Sequence, residues 1–122
     1  MIERLNQKIN ETKSSNIKVL KRDFVNEGTG LPDNSIDYAM LFNILHTENP
    51  LILINETYRI LKPGGKVGVI HWIHSNITPR GPKLDIRPTS LQCVEWLLEA
   101  NLTIINKEIS LPPYHYGIIA VK

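Results

Sequence analysis

Cysteine occurs once in the 122 residues, as Cys93. A lone thiol excludes an internal disulfide and a multi-cysteine metal site, and it fits a reducing compartment. Long apolar runs are also missing. The aliphatic stretch Leu51-Ile52-Leu53-Ile54 falls far short of the about 20 residues that cross a bilayer. The N-terminus carries Glu3, Arg4 and Lys8 where an export signal would have an apolar core. These absences point to a soluble, cytoplasmic protein with no membrane partner. No strong charge of one sign is present either: 14 Lys+Arg against 12 Asp+Glu leave a net +2. Nucleic-acid binding calls for basic residues clustered on one face. The densest group, Lys18, Lys21 and Arg22, is followed at once by Asp23, so no nucleic-acid partner is expected.

Of the residues, 42% are hydrophobic and 21% charged, the profile of one small globular domain. No repeat or shift in composition divides residues 1–122, which read as a single domain. Ile2, Leu5 and Ile9 give residues 2–13 a narrow helical stripe, weak on its own. A short strand is predicted over 17–20, followed by a loop dense in turn formers from Asn26 to Ser35. The run Ile36-Asp37-Tyr38-Ala39-Met40-Leu41-Phe42 hardly alternates, as in a strand covered on both faces of a parallel sheet.

Asn49 as a cap and Pro50 at the first turn open a second helix. Its face is expected to hold Leu51, Ile54, Tyr58 and Leu61, and Pro63-Gly64-Gly65 to end it. A buried-type strand follows over 66–73. Residues 74–88 form the longest loop, with Pro79, Pro82 and Pro88, and long ordered loops tend to be functional. Thr89 and Gln92 make a capping box for a helix with Leu91, Val94, Leu97 and Leu98 inward and Asn101 as its stop. Strands over 103–109 and 116–121 meet through Leu111-Pro112-Pro113 and should pair antiparallel, since no helix joins them. The class is α/β.

Four pieces occur in order: Asp23-Phe24; Leu31-Pro32-Asp33-Asn34-Ser35-Ile36-Asp37; Leu41-Phe42-Asn43-Ile44-Leu45-His46; and Glu56 through Tyr58-Arg59-Ile60-Leu61-Lys62-Pro63-Gly64-Gly65. Together they resemble the class I S-adenosylmethionine-dependent methyltransferases, in the branch of small-molecule and quinone-type methylases. The resemblance runs from residue 2 to residue 122. It implies a partial Rossmann-like fold with a mainly parallel sheet and an antiparallel last strand. In the family order 3-2-1-4-5-7-6, segments 17–20, 36–42, 66–73, 103–109 and 116–121 take places 3, 4, 5, 6 and 7.

Strands 1 and 2, with their glycine-rich turn, have no counterpart in residues 1–122. Gly28 and Gly30 follow the Asp23 piece and lack the strand that such a turn requires. The chain therefore reads as a single truncated methyltransferase-like domain. Strand 36–42 would be left with an unpaired apolar edge, which proteins avoid. Three remedies exist: segment 17–20 moves over to pair with it, a second copy pairs across it, or a separate polypeptide complements it. A homodimer or a complementing polypeptide across this edge is expected.

The resemblance also implies S-adenosylmethionine as cofactor and a small-molecule methyl acceptor. Asp23 would accept from the adenine amino group, Phe24 would pack on the ring, and Leu41, Phe42 and Asn43 would line the methionine part. A turn aspartate beside core aromatics is the competing reading of the same residues. A sulfonium methyl is already activated, so a base matters only for a protonated acceptor. His46 is the catalytic candidate, with His71 and His74 behind it, and each reads equally as an ordinary polar or core histidine. The spacing of the three matches no metal-ligand motif. Arg80, Lys83 and Arg87 either meet an anionic substrate or are solvated loop charge.

The function expected is small-molecule methyl transfer from S-adenosylmethionine, incomplete or inactive in the isolated chain. The alternative is a non-catalytic, methyltransferase-derived module that dimerises or complements a partner.

Overall fold

A computed structural model describes residues 1–122. The chain begins with α1 (Ile2–Thr12), which Lys13 ends in a left-handed conformation. No residue of α1 is buried, in keeping with its narrow apolar stripe. Then come β1 (Ile36–Phe42), α2 (Pro50–Ile60), β2 (Leu61–Trp72), a short 3-10 turn at Leu84–Ile86, α3 (Ser90–Glu99), β3 (Thr103–Leu111) and β4 (His115–Val121). No helix is long and apolar enough to cross a membrane.

The sheet order is β1-β2-β4-β3, which is the 4-5-7-6 portion of the order that the resemblance implies. β1 and β2 are parallel; β4 is antiparallel to both β2 and β3. Parallel pairing is confined to β1 and β2, because the strand predicted at 17–20 does not form. Ile17 and Leu20 are exposed, in backbone without regular structure. A strand exists only through its ladder, and this segment finds no neighbour whose N–H and C=O groups it can meet. It does not move over to β1, whose one partner is β2.

The second correction concerns Pro63-Gly64-Gly65. The helix ends at Ile60, and Leu61 is already extended and fully buried. Leu61 pairs with Ile36, and the next partners are Tyr38 and Lys66, so Asp37 lies opposite a bulge of residues 62–65. A Cβ on Gly65 would lie 2.9 Å from the Lys62 carbonyl oxygen and 3.2 Å from that of Asp37, so only glycine lets the bulge close. The bulge is tied to the C-terminus: the Gly64 N–H donates to Lys122 O, and the Lys122 N–H to Gly65 O.

The core lies between the sheet and the two helices on one of its faces. Leu45, Ile54, Leu61, Val67, Cys93, Leu97 and Ala120 are fully buried there, each large aliphatic contributing about 1.5–3 kcal/mol. The helix faces differ from the sequence expectation by part of a turn. α2 buries Leu53, Ile54, Thr57 and Ile60, with Leu51 only half-buried. α3 buries Cys93 and Leu97, leaving Leu91 and Leu98 exposed. Thr89 and Gln92 form the expected capping box; Asn49 stands at its N-cap position but makes no side-chain cap. On the opposite face Tyr38, Phe42, Ile70, Ile109 and Ile119 border an open trough. β1 is the border strand, with Tyr38, Met40 and Phe42 exposed at 48%, 65% and 42%.

Candidate functional site

Parallel strands β1 and β2 end side by side, and open α/β sheets bind ligands beyond their carboxyl ends. Just past β1, Asn43 turns the chain with φ 57°, its N–H donating to Ile70 O at 2.7 Å. The Asn43 Oδ1 is buried without a partner, an acceptor left for a donor that the chain does not supply. Leu45 then enters the core and sets His46 against the end of β2.

There His46 Nδ1 lies 3.3 Å from His71 Nε2, and His71 Nδ1 lies 3.4 Å from Trp72 O. His71 is fully buried. Burial pushes its imidazole down to about 4, and the nearby charges of His46, Arg87 and His115 act in the same direction. Next to the pair is a cleft of about 500 Å³ between the 45–50 turn, the 85–88 segment and the start of α3, with His46, Glu48, Asp85 and Trp96 among its walls.

Arg87 is neither solvated nor free for an anion. It is 7% exposed and donates to Ile73 O, Ser75 O, Thr78 Oγ1 and Pro82 O, and it makes no ion pair. Gly81, at φ 115°, is part of this arrangement, since a Cβ there would meet Arg87 and the Trp72 ring at 3.0 Å. Sequence reading missed this role, because an arginine among prolines carries no signal of burial.

The residues assigned to the cofactor divide among four places. Phe24 and Leu41 share an apolar pocket of about 190 Å³ with Met40, Leu53 and Thr57, between β1 and α2. Asp23 lies outside that lining, its carboxylate accepting from Asn26 Nδ2 and from the N–H groups of Val25 and Asn26. These bonds, the Asn26 side chain first, hold its carboxyl below the usual range. Phe42 faces the opposite trough, and Asn43 stands at the strand end.

Glu56 and Arg59, part of the sequence signature, join its pieces. Glu56 accepts from the Thr29 N–H and hydroxyl and pairs with Arg59. Arg59 also reaches Asp33 and Leu31 O. The Arg59 guanidinium, with burial opposing and Thr29 assisting, brings the Glu56 carboxyl down to about 2. The Leu31–Asp37 piece and the Glu56–Gly65 piece are therefore mechanically joined: one clamps the other.

Strand order, crossover helix and ligand edge define an α/β protein of the class I methyltransferase type. The family model for the methyltransferase domain matches residues 1–69, and the chain belongs to that family. It is 34% identical over 62 residues to a demethylmenaquinone methyltransferase of Geobacillus sp. (strain WCH70), a match covering 50% of this chain and 26% of that protein. Among solved structures it resembles a SAM dependent methyltransferase from Aquifex aeolicus (TM-score 0.85, 23% identity, 98% of this chain and 62% of that one). It also resembles a putative type 11 methyltransferase from Sulfolobus solfataricus (TM-score 0.69, 30% identity, 93% and 64%). The chain thus spans about a quarter of that Geobacillus relative and less than two thirds of these structures.

Proposed function

We propose that residues 1–122 are one methyltransferase-type domain unit supplying the acceptor side of an S-adenosylmethionine-dependent transfer to a small molecule, in the cytoplasm. The quinone-type branch, to which the Geobacillus relative belongs by name, is the favoured acceptor class. The observation that carries the reading is the ligand edge itself, where the unpartnered Asn43 Oδ1 stands at the end of β1.

The residues present fit part of the cofactor. Asn43 Oδ1 suits an amino group, and the pocket of Phe24, Met40 and Leu41 suits a flat apolar ring. Asp23 is engaged in its own turn, and no strand with a glycine-rich turn occurs in residues 1–122. The bound group supplies an activated methyl; the chain's own side chains hold and orient what lies beside it. Cofactor is held once a strand and glycine turn pair along β1, from a second copy or a complementing polypeptide. Without them the isolated chain is inactive.

Calorimetric titration with S-adenosylhomocysteine tests this. Binding of the isolated chain tighter than about 100 μM, roughly −5.5 kcal/mol, would show a working site without complementation. The absence of heat in every assembled form would leave the second reading, a non-catalytic module that associates through β1. That reading is favoured by the exposed Tyr38, Met40 and Phe42.

A further inference from the structure

Two parts of the chain are left without partners, and they complement each other. The first is the free side of β1. Asn43 gives its N–H to Ile70 O of β2, and successive residues of a strand alternate sides. The N–H and C=O groups of Tyr38, Met40 and Phe42 therefore point away from β2, where no strand lies. β1 holds no lysine or proline that would blunt such an edge. The trough beside it, floored by Gly68, Ile70, Gly117 and Ile119, likewise has no helix over it.

The second part is the stretch before Arg22. Ile17 and Val19 are strand formers by type, yet residues 17–20 have no regular structure. Just upstream, α1 carries Ile2, Leu5 and Ile9 on one stripe and buries none of them. A helix leading into a strand is a unit that lays the helix on a sheet face and the strand along an edge. On its own sheet this unit is held back. Arg22 donates to the carbonyls of Glu27 and Gly28, the Glu27 N–H donates to Asp23 O, and Glu56 of α2 holds Thr29. The Arg22 guanidinium also fills the space beside Gly30, where a Cβ would lie at 2.9 Å. The linker that would carry 17–20 to β1 is spent in this closed turn.

We propose that residues 2–20 of a second copy cover both surfaces, exchanged reciprocally about a twofold axis. Segment 17–20 pairs along β1 of the other copy, and the apolar stripe of α1 lies in the trough against Tyr38, Phe42 and Ile70. Charge favours the same match. Residues 13–22 hold Lys13, Lys18, Lys21 and Arg22 with no acidic residue, and Asp37 is the only charged residue of β1. Pairing of one β1 with another would leave α1, segment 17–20 and the trough bare. The exchange covers all of them and closes at two copies. It gives up no packing, because α1 buries nothing in its own chain. This pairing needs no methyl donor and stands apart from the methyl-transfer reading.

Nuclear Overhauser effects filtered between carbon-13-labelled and unlabelled copies of the full chain test the arrangement. The expected contacts run from segment 17–20 of one copy to Met40 and Phe42 of the other, and from the Leu5 methyls to the trough. Sedimentation velocity supplies the second measurement. Adjacent N–H groups of a strand face opposite sides, so one of Lys18→Pro and Val19→Pro must remove a ladder bond. That variant should raise the dimer Kd by about tenfold or more, since the bond is lost twice per dimer. Leu5→Glu should weaken the dimer as well. These residues are not buried in the single chain, so circular dichroism should stay native in all three variants.

A wild type that stays monomeric at millimolar concentration would overturn the exchange. So would a dimer equally tight in all three variants, which would assign the contact to β1 against β1. Contacts of segment 17–20 with β1 of its own chain would overturn it too. None of these readouts uses S-adenosylhomocysteine, so failure here leaves the calorimetric test of methyl transfer untouched.

Discussion

Glu56 accepts two hydrogen bonds from Thr29, from its N–H at 3.2 Å and its hydroxyl at 2.9 Å, and so fastens the loop before β1 to helix α2. With its carboxyl at about 2 against an ordinary 4.5, the unfolded chain binds the extra proton between those values. The stabilisation is therefore complete above about pH 4.5 and is lost as pH falls toward 2. Glu56→Gln should lower stability at pH 7 by about 1 kcal/mol and flatten the acid limb in that window, as read by urea midpoints against pH.

His71 contributes to a different window. Its folded value near 4 lies below the ordinary 6.5, so protons again favour the unfolded chain. Stability is complete above about 6.5 and declines as pH falls toward 4, by on the order of 2 kcal/mol. His71→Gln should remove the slope between pH 6.5 and 4 and leave the Glu56 window in place, which separates the two groups within one titration series.

Cys93 is fully buried, with its Sγ 3.4 Å from the Tyr116 hydroxyl. Burial pushes the thiol up to about 11, so little thiolate exists at neutral pH. An aromatic disulfide reagent should leave the native thiol unmodified and react with one equivalent once denaturant is added. Fast native reaction would mean that α3 opens from the sheet.

Met40 stands on the border strand, 65% exposed. A lysine there blunts strand pairing and should change monomer stability by no more than about 0.5 kcal/mol. Sedimentation velocity is expected to show self-association of the wild type and a monomer for Met40→Lys. A wild type that stays monomeric at high concentration would count against association through β1.

The sequence was most legible where structure is local or where its pairing partner lies in the chain. Ile36–Phe42 forms the predicted strand because β2 satisfies its ladder, and Thr89 caps α3 through bonds made within four residues. Segment 17–20 has strand-like residues but no mate. The inward faces of α2 and α3 were misjudged because Leu91, Leu98 and Leu51 compete with Cys93, Leu97 and Leu53 for adjacent positions, and only the packed sheet decides between them. At the site, His46 was recognisable from its place after β1. Its link to His71, 25 residues on, and the burial of Arg87 depend on how three loops meet, which no periodicity records.

The loop from Ile73 to Pro82 draws its order from Arg87, a side chain outside it. That arrangement gives the segment a single drawstring. Apart from Thr78, whose hydroxyl the guanidinium also holds, and Gly81, which has no room for a Cβ, its residues can be exchanged as long as their carbonyls still face the guanidinium, so the cleft's rim can diversify without disturbing the sheet. Cut the string, and the whole segment should come loose at once.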